Sequence, residues 1–326
     1  MKINYGSLLI SIDFELYWGV RDERSLESYK ENLEGVWKAI PKILKLFEKY
    51  EIHATWSTVG LLFCKDINEA KIYQPKIKPD YTKKNLCPYT YISKNNTIDS
   101  KFHFAPELIK EILSVPNQEI STHTFSHYYC LEKGQSLDSF KADINAALNI
   151  SKKYNIDLQT IIFPRNQWNP DYLVELDKMG IKAYRGTENS WFYKSTENSE
   201  QNLIRRLGRL IDTYINLVGH QTYTLDSCKT VKPYNFPSSR LLRPYSEKLS
   251  SLEKLRARRI KKSMKYAAKN NEIFHLWWHP HNFGKNTDNN LKMLENILCE
   301  YRKLNSEYGM KSLNMLDLVN IINKKT

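Results

Sequence analysis

Short apolar runs that end in a charged or imidazole side chain recur along this chain, and stretches of helical periodicity separate them. LLISID (8–13) ends in Asp13, QEIST (118–122) delivers His123, TIIF (160–163) leads to Arg165, IKAY (181–184) leads to Arg185, and EIFHLWW (272–278) leads to His279. HATWSTVG (53–60) reads as a further strand with Gly60 at its exit. Apolar residues recurring every three to four positions predict helices at about 29–50, 106–114, 137–154, 169–178, 249–269 and 288–304. Strands alternating with helices, without an internal repeat, argue a parallel sheet of the α/β class. In α/β barrels the chemistry sits at the C-terminal ends of the strands, where these polar residues fall. A length of 326 residues suits one such barrel, so residues 1–326 are expected to form a single domain. Residues 74–105, rich in Lys, Tyr and Asn and broken by Pro75, Pro79 and Pro88, read as an insertion with little regular structure, placed to cover the site. An amphipathic stretch at 200–218 receives no firm element, and 219–247 reads as a long loop.

Composition narrows the class. Apolar residues make up 41% of the chain, enough for a core, yet no apolar run is long enough for a membrane helix. The N-terminal MKINYGSLLISIDFELYWG holds Asp13 and Glu15 within its apolar stretch. That predicts a strand rather than a signal peptide and, with it, a cytoplasmic protein. Cys64, Cys87, Cys130, Cys228 and Cys299 are scattered and form no CxxC pair, as expected of free thiols in a reducing compartment. The net charge of +13 favours anionic partners, although solvated lysines account for it equally well. KLRARRIKKSMKYAAK (254–269) reads as a solvated helix face. No nucleic-acid motif or array of base-stacking aromatics accompanies it, so no nucleic-acid partner is expected.

Four patterns carry chemistry. In STHTFSH (121–127), His123 and His127 are four apart, and a helical turn would bring both imidazoles to one face where they can bind one divalent metal. A zinc-type catalytic centre needs a third ligand and an open position as well. Asp13 and Glu15 flank Phe14 at the end of the first strand, so alternation points both carboxylates into one pocket. One can ligate while the other takes a proton from water, and the spacing does not assign the roles. In FPRNQ (163–167), Arg165 can pair with an acid and hold it ionised and oriented. In HLWWHPH (275–281), Pro280 ends the strand and His279 or His281 can act as a general acid. Each pattern alone also arises from capping, packing or surface charge; their joint order along the chain is more specific.

In that order the motifs resemble those of the NodB-type polysaccharide deacetylases, carbohydrate esterase family four, from about residue 8 to residue 283. STHTFSH is similar to the family's His-Ser/Thr-x-x-His motif and HATWSTVG to its ATFFxxG strand. SIDFE stands where the family has Thr-Phe-Asp-Asp-Gly, FPRNQ resembles the Arg-containing third motif, and LWWHPH resembles the final Leu-x-His motif. The resemblance implies a distorted (β/α) barrel and an enzyme that removes acetyl groups from N-acetylated or O-acetylated sugars with one divalent metal, usually zinc. It implies His123 and His127 as metal ligands, Asp13 as general base, Arg165 as the tether of that base, and His279 as general acid. The first motif departs from the family, because Phe14 stands in place of the second Asp. An Asp-x-Glu variant makes Glu15 the expected third ligand, with Asp13 as the alternative ligand and loss of the metal as a further alternative. A backbone N–H near Asn166 or Gln167 is expected to stabilise the oxyanion. Trp18, Trp168, Tyr184 and Trp191 are candidate sugar-stacking surfaces, each equally able to serve the core. Asn166, Gln167, Arg185 and His281 complete the expected substrate contacts.

Many members of the family act on finished polymers outside the cell. A cytoplasmic one is expected to act on a precursor: an acetylated sugar or oligosaccharide on an anionic lipid or nucleotide carrier, in lipopolysaccharide, O-antigen or capsule synthesis. Contact with a membrane would then be peripheral. Two other readings stand beside this one. A closed, small pocket would favour a metal-dependent amidase on a small non-sugar amide, and absence of metal would favour a carbohydrate-binding relative of the enzyme.

Overall fold

The computed structural model describes residues 3–95, 97–194 and 203–324. Among these, nine strands form one sheet: β1 (Ser7–Phe14), β2 (Ala54–Thr58), β3 (Gln118–Thr122), β4 (Thr160–Ile161), β5 (Ala183–Tyr184), β6 (Tyr234–Asn235), β7 (Arg240–Leu241), β8 (Ile273–Trp278) and β9 (Lys311–Leu313). Eight follow the order β6-β5-β4-β3-β2-β1-β8-β7, every neighbouring pair parallel, and curl into a half-barrel of the NodB deacetylase type with helices around it. β9 pairs with β1 at Ser7–Leu9, ahead of the stretch where β1 meets β2. All eight residues of β1 are buried, as expected of a parallel strand covered on both faces. Because neighbours run parallel, β1, β3, β5 and β8 end on the same rim, and that rim collects the polar residues noted above.

The helices pack as their periodicity requires. The first runs from Leu26 to Tyr50 and starts at Leu26 because Ser25 Oγ accepts from the Ser28 N–H (3.3 Å). Its apolar face, including Leu33, Val36, Ile40, Ile43 and Phe47, lies in the core, and the helix continues through Pro41. Gly35 on this helix meets Gly284 at the end of the short helix Pro280–Gly284, where a Cβ on Gly35 would sit 2.1 Å from the Gly284 carbonyl oxygen. Only glycine allows that backbone approach, which seats the segment carrying His279 and His281.

Three stretches differ from the sequence reading. Residues 74–105 contain the helices Pro88–Lys94 and Ser100–His103, the first opened by Pro88 and the second capped by Asp99. Tyr81, Leu86, Tyr89, Ile92 and Phe104 from this stretch belong to the main core, so it is packed rather than loosely attached. Residues 203–212 form a helix, and 219–247 contain the short helix Leu225–Cys228 with β6 and β7, strands of two residues that carry too little pattern to read. The basic helix, observed at Glu253–Asn270, does expose Lys254, Arg258, Lys262, Lys265 and Lys269, but it buries Arg256 and Arg259. Arg256 donates to the Pro244 carbonyl (2.9 Å) and Arg259 to Ser263 Oγ (2.7 Å), so part of this basic run is internal scaffolding. All five cysteines are free thiols, and no helix among the described residues is long and apolar enough to cross a membrane.

Candidate active site

Glu15, His123 and His127 come together at the rim, all buried, with one ligand atom from each inside 4.8 Å of one another. Glu15 Oε2 lies 3.0 Å from His127 Nε2 and 3.3 Å from His123 Nε2. The two histidines do not share a helical turn. Residues 123–127 are a loop in which Thr124 and His127 take left-handed backbone angles (φ 63° and 61°). Asp143, from the helix Leu137–Lys152, holds that loop: its Oδ1 accepts from the N–H groups of Phe125 (2.7 Å) and Ser126 (3.3 Å), and its Oδ2 accepts from the hydroxyls of Ser126 and Tyr89. A helix would leave these N–H groups to its own carbonyls; here a buried carboxylate takes them and turns both rings inward.

The hydrogen-bond network assigns the ring protons. Tyr129 donates its hydroxyl proton to Asp22 Oδ1 (3.2 Å), so its oxygen accepts from His127 Nδ1–H (3.1 Å). Ser57 donates to the Thr122 carbonyl (2.9 Å), so its oxygen accepts from His123 Nδ1–H (3.3 Å). In the neutral rings both Nε2 lone pairs then face the same Glu15 oxygen. Burial pushes His127 toward its neutral form, against the pull of Glu15. His123 Nε2 is buried and makes no hydrogen bond among the described residues. Two lone pairs and a carboxylate oxygen facing one point are mutually repulsive unless a cation lies between them, and two imidazole nitrogens with one carboxylate oxygen are a donor set that fits zinc.

Asp13 lies next to this cluster and is differently employed. Arg185 grips it with both ends of its fork, Nη1 to Oδ1 and Nη2 to Oδ2, each at 2.7 Å. The guanidinium is fully buried, donates further to Ser11 Oγ and Asn166 Oδ1 (both 2.9 Å), and stacks on the Trp277 ring at 4.2 Å. Burial alone would raise the Asp13 carboxyl, but Arg185, His123 and His279 outweigh it and hold the group below the usual carboxylate range. Glu15 is held well below its ordinary value, with burial opposed chiefly by His279. His279 Nε2 sits 3.7 Å from both Asp13 Oδ2 and Glu15 Oε1 and is the partly exposed imidazole of the group.

Several expected roles move. Arg165 is not the partner of Asp13. It follows β4 at a left-handed turn (φ 55°), and its Nη2 goes to Asp22 and Glu23 while its guanidinium covers the Tyr129 ring at 4.5 Å. Arg185, read only as a substrate contact, takes the tether's place because β5 lies further along the sheet and its end points back over Ser11 and Asp13. The backbone N–H groups of Asn166 and Gln167 donate to Phe163 (2.9 Å) and Pro164 (3.0 Å) and are therefore not free for an oxyanion. Gln167 is buried and its amide donates to Glu132 (2.9 Å), away from the cluster. Trp18 is buried against His103, Tyr91 and Phe104, and its Nε1 donates to the His103 carbonyl (2.6 Å); it is core, as is Tyr184 beside Phe163 and Trp168. His281 is buried behind His279, stacked on it at 4.9 Å with Nδ1 3.8 Å from Glu15 Oε1, and braces the site rather than meeting a ligand from solvent. His275 is core: it links Ser11 Oγ (2.8 Å) to the carbonyls of Phe236 and Pro237. Trp191 is 56% exposed and lines an open groove with Trp168. Sequence reasoning did not reach Asp143 or Gly19. A Cβ at Gly19 would lie 2.0 Å from the Glu15 carboxyl carbon, so the cluster needs glycine there, and the Trp18-Gly19 pair after the first strand was the available signal.

A parallel half-barrel with imidazoles and carboxylates gathered at its strand ends is an α/β architecture built for chemistry at the rim. The family model "Polysaccharide deacetylase" matches residues 34–184, a stretch that includes His123 and His127. The match leaves out Asp13, Glu15, Arg185 and His279. Among solved structures the chain is similar to a putative polysaccharide deacetylase from Mycobacterium smegmatis (TM-score 0.61, 9% identity, covering 99% of this chain and 94% of that one). It is also similar to a GH57-type branching enzyme from Pyrococcus horikoshii (TM-score 0.54, 12% identity, 98% and 70%) and to a 4-alpha-glucanotransferase from Thermococcus litoralis (TM-score 0.54, 10% identity, 98% and 40%). At these identities the likeness is one of fold. No curated protein sequence matches.

Proposed function

We propose that this protein is a metal-dependent deacetylase that removes an acetyl group from an N-acetylated or O-acetylated sugar. The observation that carries the reading is the convergence of two imidazole lone pairs and Glu15 Oε2 beside an ionised, arginine-clamped Asp13, within a chain whose central segment matches the deacetylase family. Glu15, His123 and His127 would hold the cation; geometry favours Glu15 over Asp13 as the third ligand, because Asp13 is occupied by Arg185 whereas Glu15 faces both rings. A divalent cation there, zinc by its donor set, would supply Lewis-acid chemistry, polarising an acyl carbonyl and bringing the pKa of a water to ~7.

The chain's own groups do the rest. Asp13, kept ionised and oriented by the Arg185 fork, takes the proton of the attacking water. His279, facing both carboxylates and reaching solvent, hands a proton to the departing nitrogen or oxygen. An open groove of about 810 Å3 lined by Trp168 and Trp191 favours an extended saccharide over a small enclosed amide. We place the reaction in the cytoplasm, in the assembly of a surface polysaccharide such as lipopolysaccharide, O-antigen or capsule.

The test is metal content by elemental analysis together with acetate release from acetylated sugars, wild type beside His123→Ala. About one equivalent of zinc or a similar ion in the wild type, lost in the variant along with acetate release, is expected. A wild type that takes up no metal even after zinc is added would overturn the mechanism.

A further inference from the structure

Arg240, on β7, is 3% exposed, and only part of its guanidinium is employed. Nη1 donates to Asp212 Oδ2 (2.7 Å) and to the Asp212 carbonyl (3.1 Å), while Nε and Nη2, both buried, have no partner among the described residues. Asp212 does not offset this cation alone, because the same carboxylate also faces Arg259 at 3.5 Å. Arg240 borders a cavity of about 190 Å3, and Arg243, Arg209 and Lys194 border it too. Arg243 pairs with no carboxylate among the described residues; its Nε donates to Thr213 Oγ1 (2.9 Å). Arg165 also reaches the cavity, but its charge is met by Asp22 and Glu23.

One carboxylate lines the same space and would oppose an anion. Glu188 Oε2 accepts from Ser238 Oγ (3.0 Å), and its buried Oε1 has no hydrogen-bond partner among the described residues. Burial pushes the Glu188 carboxyl up, against the pull of Arg240 and Arg185, toward a neutral form that donates a hydrogen bond instead of repelling. Among the described residues, Arg240 and Arg243 therefore leave this lining positively charged. The cavity begins one side chain from Asp13: its walls include Asn166, which accepts from Arg185 Nη2, and Trp277, on which Arg185 stacks.

We propose that this cavity is a subsite for one acidic group, phosphate or carboxylate, carried by the substrate beside its acetylated sugar. The proposal rests on the deacetylase reading and narrows its substrate to an anionic saccharide. A volume of about 190 Å3 falls below the ~300–1,000 Å3 of sites that enclose a whole small molecule, which suits a single group anchored while the sugar extends into the open groove. Guanidinium forks match the paired oxygens of phosphate and carboxylate, and a low-dielectric wall strengthens that attraction. Thr187, Glu188 and Lys194 border both the cavity and the groove, so the two are continuous.

The test uses the zinc-loaded full chain, wild type beside Arg243→Gln and Arg240→Lys. Calorimetry with inorganic phosphate and, separately, with glucuronate distinguishes the two anions. Acetate release is then followed on an acetylated sugar bearing a phosphate, on one bearing a carboxylate, and on a neutral oligomer. Expected are binding of one anion weakened about tenfold or more in Arg243→Gln, and a KM for the matching acidic sugar raised by a similar factor with kcat nearly unchanged. If Arg240→Lys does not fold, Arg243→Gln still carries the test, since Arg243 pairs with no carboxylate among the described residues. Equal anion affinity in wild type and Arg243→Gln, or equal KM for acidic and neutral sugars, overturns the subsite. Arg243-dependent anion binding with no acetate released from any sugar supports the subsite and removes the deacetylase reading instead.

Discussion

Two buried arginine–aspartate pairs lie near Trp277, one stacked on its ring and the other lining a cavity with it, and they are built to different ends. In Arg185–Asp13 the fork is bidentate at 2.7 Å, and the remaining hydrogens of Nη1 and Nη2 go to Ser11 and Asn166. In Arg240–Asp212 one nitrogen does all the pairing, and Nε and Nη2 are left without a partner beside a cavity. A guanidinium with both terminal nitrogens engaged fixes its carboxylate and, with only Nε unpaired, has little left to offer a ligand. A half-engaged one is charged, desolvated and short of acceptors, which is the state of a receptor waiting for an anion. On the proposed reading, the difference separates the part of the rim that positions a reacting group from the part that selects what is bound.

The largest effect comes from removing each arginine in turn. Arg185→Met leaves Asp13 as an uncompensated buried charge, which costs about 3–5 kcal/mol of stability and, by freeing Asp13, abolishes acetate release. Arg240→Met is milder, about 1.5–3 kcal/mol, because Asp212 keeps Arg259 at 3.5 Å and the N–H groups of Leu217 (2.9 Å) and Val218 (3.2 Å). Denaturant midpoints of both variants measure the gap. Equal losses would erase the distinction between a closed and a half-open pair.

Asp143 sharpens the comparison by supplying the case with no cation at all. It is as buried as Asp13 and accepts four hydrogen bonds, yet no guanidinium or ammonium pairs with it among the described residues. Burial pushes its carboxyl up to about 6, with the hydrogen bonds from Ser126, Tyr89 and Phe125 pulling the other way. The raised value fixes the sign. Stability from this group is fully present below the unfolded value of ~3.9 and is lost as pH rises through about 6. At about 1.4 kcal/mol per pKa unit the loss amounts to about 3 kcal/mol. Asp143→Asn removes this titration, so its stability relative to wild type should rise by that amount between pH 4 and pH 7. Parallel stability curves for the two proteins would mean that Asp143 is ionised throughout, as Asp13 is.

The sequence reading reached the ends of most strands and missed β6 and β7. β1, β3 and β8 are five to eight residues long with apolar runs that announce them, and Asp13, Glu15, His123 and His279 fall where those runs predict. β6 and β7 are two residues each, below any periodic signal, so Arg240 goes unnoticed; the runs leading to Arg165 and Arg185 are both legible, but nothing in them ranks one arginine over the other. That is why Arg165, which lies in a recognisable motif, was given the role that Arg185 performs. The His-x-x-x-His spacing gave the right pair through the wrong geometry. The rings converge because a carboxylate sixteen residues beyond His127 captures the loop's N–H groups, and nothing local in the sequence shows that. Residues 74–105 misled for the opposite reason: their Pro and Lys content suggests a loose insertion, while their spaced aromatics, Tyr81, Tyr89 and Phe104, are what the core uses.

The smallest expected effect tests how tightly the metal side of the rim is set. Gly19 lies so close to Glu15 that an added Cβ would stand 2.0 Å from both its carboxyl carbon and Oε1. The backbone of Gly19 needs no special angle, so Gly19→Ala strains a contact and not a turn. The Glu15 carboxylate must then swing away from His123 and His127, while the Arg185 grip on Asp13, made by other atoms, is untouched. Zinc affinity is expected to fall about 10–100-fold, the usual cost of disturbing the support of a ligand, with stability of the metal-free protein changed by less than about 1 kcal/mol. Competition for zinc against a chelator measures the first quantity and a denaturant midpoint the second. Unchanged zinc affinity in Gly19→Ala would show that Glu15 is not the carboxylate that holds the cation, and would return that role to Asp13.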